Sequence, residues 1–122
     1  MENNIKSKET IAQEALRLLS TVPEDKWTTF SYTDLKEKCC AIGHYNRLKS
    51  KNQNDYSSRN CSDDCGPDTL RQKSAEFLKA VHNAEYGDLA TVNNTTNING
   101  YKQESIKERV INCLADMVKS GY

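Results

Sequence analysis

Residues 87–102 read GDLATVNNTTNINGYK, and whether this stretch extends or coils decides the fold. Thr91-Val92 and Thr96–Ile98 carry side chains suited to two minimal strands. Asn99-Gly100 is a dipeptide that accepts the positive φ of a tight turn. Read this way, the stretch is a small β-hairpin between two helices. On its N-terminal side, Pro67 and Asp68 open a helix with Leu70, Phe77, Leu78 and Val81 as its buried stripe, Ser74 and Ala84 in line, ending near Tyr86-Gly87. On its C-terminal side, Ile106, Val110, Cys113, Leu114 and Met117 mark a helix over about 103–120 that stops before Gly121.

Further from the hairpin the same logic finds two more helices. Thr10 and Gln13 have capping-box spacing, with Ser7 a competing cap. Ile11, Ala12, Ala15, Leu16, Leu18, Leu19 and Val22 then form one apolar face until Pro23 ends it, so a helix is expected over about 8–21. Trp27 to Tyr32 alternates aromatic and hydroxyl residues and suits a short extended segment. Ser31 or Thr33 caps a second helix, Leu35, Cys39 and Ile42 share its face, and Gly43 is its natural stop. The expectation is a mainly α, compact four-helix domain spanning 1–122, with the hairpin between its last two helices.

Composition narrows the function classes. The chain has 122 residues, enough for one core and too few for two. Seventeen Lys and Arg balance seventeen Asp and Glu, so no global field draws nucleic acid or anionic lipid, and such binding needs a local patch. No window approaches the roughly 18 apolar residues of a membrane span. The N-terminal stretch lacks the hydrophobic run and cleavage site of a secretion signal, which predicts an intracellular, cytoplasmic, reducing setting. Asn93-Asn94-Thr95 and Asn94-Thr95-Thr96 match the glycan-acceptor pattern but carry no weight in that setting.

Residues 44–66 read as one helical turn around Tyr45 and Leu48 followed by a long polar loop, of a kind usually functional, disordered or pinned by something. Around it stand Cys40 and His44, four apart, and Cys61 and Cys65, four apart. Three thiolates and an imidazole make a tetrahedral zinc set that would clip the loop to the second helix. Cys39 is a substitute ligand, and Asp63 and Asp64 lie beside the second pair. A Cys61–Cys65 disulfide and unlinked thiols in an ordinary turn are the competing readings, and all three stay open. Cys40 and His44 also form a thiol–imidazole pair, yet no phosphate loop, nucleophile elbow or H-E-x-x-H helix accompanies it. No enzyme is expected. Cys113 reads as core, and His82 as a structural or surface residue near a helix end.

Residues 36–51 place Lys36, Lys38, Arg47, Lys49 and Lys51 against Glu37 alone, a local patch able to position phosphates. Tyr45 and His44 are available there to stack or hydrogen-bond.

The order of elements WTTFSY, SYTDLKEKCCAI, TLRQKSAEFLKAVH and GDLATVNNTTNINGYK resembles winged helix-turn-helix DNA-binding domains. The resemblance covers element order only, with residues 43–66 as an insertion. It implies that TLRQKSAEFLKAVH enters the major groove, with Arg71, Gln72 and Lys73 reaching bases, and that the hairpin serves as the wing. The leading expectation is a small non-enzymatic regulatory module that contacts nucleic acid. The rival is a protein-interaction module (adaptor, inhibitor, subunit or homodimer) using exposed Tyr45, Tyr56, Tyr86, Tyr101 and Tyr122.

Overall fold

The computed structural model describes residues 9–28, 40–49, 68–98 and 100–122. Among them the chain forms five α-helices: α1 (Ile11–Leu19), α2 (Ala41–Lys49), α3 (Leu70–His82), α4 (Leu89–Asn94) and α5 (Ile106–Lys119). A single 3-10 turn covers Glu24–Lys26, and the described residues contain no strand. None of these helices is long and apolar enough to cross a membrane.

The expected hairpin is replaced by α4, and the reason is local. Asp88 caps this helix by accepting from the amides of Ala90 (2.8 Å) and Thr91 (3.4 Å), while Thr91 Oγ1 accepts from the Asp88 amide at 3.2 Å. This reciprocal box satisfies amide donors that a strand would have left to a ladder. Leu89, Val92 and Asn93 then fall at helical spacing and are buried. Only the turn survives from the expected motif. The Tyr101 amide donates to the Ile98 carbonyl at 3.1 Å, and Gly100 sits at φ +92°.

The first and last helices follow their patterns. Thr10 and Gln13 form the anticipated box at α1, and Ser105 caps α5 through the Glu108 amide at 3.2 Å. In α3, Thr69 is the cap, and the helix stops at His82 because Asn83 turns left-handed (φ 56°). Val81, expected in the buried stripe, is 53% exposed. Gly43 does not stop a helix; it lies buried inside α2. A glycine costs a helix only about 1 kcal/mol, less than α2 regains by burying Ile42 and Tyr45. The remainder of the expected second helix lies outside the described residues.

α1 and α4 pack against α5, α2 lies across α1 and α4, and α3 closes the other side against the same two helices. Their shared core includes Leu19, Trp27, Ile42, Phe77, Leu89 and Leu114.

Polar side chains pin the short helix in place. The buried Arg109 guanidinium donates to the carbonyls of Val92 (2.8 Å), Asn93 (2.6 Å), Gln103 (2.8 Å) and Glu104 (3.1 Å). A cation at the C-terminal end of α4 meets both its open carbonyls and its dipole. Burial also lowers the Arg109 pKa from its ordinary value. Asn93 accepts from the Ala41 amide at 3.0 Å and donates to the Thr28 carbonyl at 2.9 Å. Buried Ser74 joins α3 to α4 by accepting from the Leu89 amide at 2.8 Å.

Candidate binding groove

Of the residues expected to bind nucleic acid, the described ones are Arg47, Lys49, Arg71, Gln72 and Lys73. Arg47 is 7% exposed and donates to His44 Nδ1 at 3.0 Å, so it belongs to the interior. Lys49 is exposed at the end of α2, where its ammonium lies 4.8 Å from the Tyr45 ring centroid and 3.8 Å from Glu14. Arg71 pairs with Asp88, the cap of α4, at 3.1 Å. Gln72 and Lys73 both turn toward Glu76, at 3.5 and 3.8 Å. Lys36, Lys38 and Lys51 lie outside the described residues.

Of the zinc set, Cys61 and Cys65 also lie outside the described residues. Cys40 and His44 are both buried. The imidazole is already engaged at both nitrogens: Nε2–H donates to the Lys26 carbonyl at 2.6 Å, and Nδ1 accepts from Arg47. Zinc on His44 would have to displace one of these partners, and it would sit beside a guanidinium. No group of three metal-binding side chains occurs among the described residues, which include only two members of the set. Burial, reinforced by the Arg47 charge and only partly offset by the Lys26 bond, lowers the His44 pKa to about 4. His44 is thus a neutral core residue, tilted against Trp27 at 5.3 Å. Cys113 is core as well, its thiol pushed up to about 12 by burial and then by the Asp116 charge.

The tyrosines sort unevenly. Tyr45 and Tyr101 are 1% exposed and Tyr122 is half-buried, whereas Tyr86 is 83% exposed. Tyr86 stands at the corner between α3 and α4, on the rim of a groove of about 450 Å³. One wall is the chain leaving α3, from His82 to Glu85. The other is Thr91 and Thr95 of the α4 side with Asn97 and Ile98 beyond. The fold creates this opening because Asn83 reverses the chain at the end of α3 and the Ile98–Tyr101 turn reverses it again.

His82 is held by a relay. Tyr101 donates its hydroxyl proton to Asp116 Oδ2 at 2.6 Å, so its oxygen accepts from His82 Nε2–H at 3.0 Å. That chain of bonds places a hydrogen on Nε2 of the imidazole. Burial, with the Asp116 bond second, raises the Tyr101 pKa well above the usual phenol range. Gly100 closes the back of the ring: a Cβ there would come 3.0 Å from His82 Cε1.

The groove's remaining polar groups divide by availability. Thr91 and Thr95 spend their hydroxyls on helix-end bonds. By contrast, the side chains of Asn83, Glu85 and Asn97 make no hydrogen bond or ion pair within the described residues. Sequence reasoning singled out Tyr86 as an exposed aromatic but missed these three. An Asn following an apolar stripe was a readable stop signal, whereas the approach of Asn97 to the end of α3 is a tertiary event.

No family model, curated protein or solved structure matches this chain.

Proposed function

We propose that the chain is a small non-enzymatic binding module that takes a peptide segment of a protein partner into the groove between α3 and α4. One observation carries this reading. An aromatic side chain 83% exposed stands on the rim of a formed groove whose wall includes carboxamides that the fold leaves unused. An exposed tyrosine gives large contact area at small entropic cost, and two carboxamides match the alternating donors and acceptors of a peptide backbone. Shifting the weight from nucleic acid to protein follows from the burial of Arg47 and the pairing of Arg71 with Asp88.

A peptide-display selection on the folded protein tests the proposal. Selected peptides should bind the Tyr86→Ala variant at least ten-fold more weakly and bind an Arg17→Ala control, on α1 and outside the groove lining, unchanged. Equal binding to all three proteins refutes the groove. Salt-dependent duplex binding that is lost on neutralising Lys36, Lys38 and Lys51 and kept in Tyr86→Ala would move the function to the basic segment.

A further inference from the structure

We infer that the partner segment presents a lysine or arginine side chain, held between the Glu85 carboxylate and the Tyr86 ring. The inference rests on the groove being the binding surface, and it names the chemistry that surface selects.

The charge pattern argues for a cation. Among the described residues Glu85 is the only acid lining the groove, and no lysine or arginine among them lines it. Among the described residues Glu85 makes no ion pair. Its carboxylate is therefore a negative charge with no direct ion-pair partner among the described residues, at the edge of a concave surface, where field lines concentrate and cations are drawn in. The same two residues, Glu85 and Tyr86, also line a second recess of about 270 Å³ on the other side, against α3. They thus form a ridge with room on both flanks. In that second recess Glu76 is drawn toward Lys73 and Gln72, and Lys79 supplies a cation of its own. No described residue supplies such a cation to the first groove, so an incoming one meets no competitor among them.

The aromatic ring supplies the second half of the recognition. A guanidinium or ammonium over a tyrosine face is attracted by the ring quadrupole while its aliphatic stem covers apolar surface. A neighbouring carboxylate adds charge pairing from the side. Asn83 and Asn97 are then placed to bond the backbone on either side of the basic residue, and Ile98 gives the stem an apolar wall.

Amide-resolved NMR titration with blocked five-residue peptides tests this. The central residue is lysine, arginine, norleucine or glutamate, in an otherwise glycine-alanine sequence. The lysine and arginine peptides should give saturable shifts at the amides of Glu85, Tyr86, Thr95 and Asn97. Norleucine should bind at least ten-fold more weakly and glutamate not measurably. Glu85→Gln should weaken the lysine peptide at least five-fold, with an unchanged melting temperature because the side chain is exposed and unbonded. Tyr86→Leu should weaken it similarly. If norleucine binds as well as lysine and Glu85→Gln changes nothing, the cation inference is overturned while the groove reading stands. If none of the four peptides shifts these amides, the groove reading itself fails.

Discussion

Replacing Arg109 by methionine tests what holds α4 in place of a strand. The guanidinium donates four bonds of 2.6–3.1 Å, and the two to Val92 and Asn93 are fully buried. A bond from a charged donor is worth roughly 1.5–3 kcal/mol net. The Gln103 and Glu104 carbonyls lie closer to solvent, where water can replace the lost donor, so the two buried bonds dominate at about 3–5 kcal/mol together. Methionine removes the cost of burying a cation and keeps most of the stem's packing, which brings the expected loss to about 3 kcal/mol. For a chain of this length that is a fall of about 10–15 °C in melting temperature. Circular dichroism melts and urea titration measure it, and hydrogen exchange locates it: amides of α4 should lose protection before those of α1. Arg109→Lys keeps the charge without the fork and should fall between the two. A loss under about 1 kcal/mol, or α4 protection as in the parent, would show that apolar packing alone keeps this helix.

Other perturbations read other parts of the molecule. The unfolded chain binds a proton at His44 below about pH 6.5, while the folded chain resists until about 4. Stability therefore declines as pH falls through that window, by about 3 kcal/mol in all. Urea midpoints at pH 7 and 4.5 should converge in His44→Gln relative to the parent, and an undiminished pH dependence would place the sensitivity elsewhere. Asp88→Ala removes the cap of α4 and the partner of Arg71, and should cost about 1–2 kcal/mol in urea titration; a loss below about 0.5 kcal/mol would leave the cap without a role. Cys113, with its thiol raised to about 12, should resist iodoacetamide at pH 8 by intact mass and react fully in urea. Complete labelling of the folded protein within minutes would contradict its burial.

The amphipathic helices α1, α3 and α5 were legible because their apolar residues repeat over more than two turns and their caps are strong. α4 was not, since six residues hold too few turns for a period to show. Thr91 and Val92 are strand-favouring residues whose preference is overridden by Asp88 at one end and Arg109 at the other. Gly43 misled for a similar reason: its local preference is weaker than the burial of its neighbours. Arg47 could be recognised as a cation one helical turn from His44, but only the packing of α2 reveals that both are buried. Tyr86 was visible as an aromatic outside every stripe, while the groove it borders depends on two separate chain reversals, at Asn83 and at the 98–101 turn, beyond any local pattern.

The Asn93 carboxamide joins positions separated by 52 residues at Ala41 and 65 at Thr28. Contacts that close such long loops form only after the intervening chain has collapsed, so these bonds belong late on the folding path. Their loss should leave the folding rate nearly unchanged and show itself as faster unfolding. One amide thereby acts as a latch on the lifetime of the native state, set after the helices have met and first to be released.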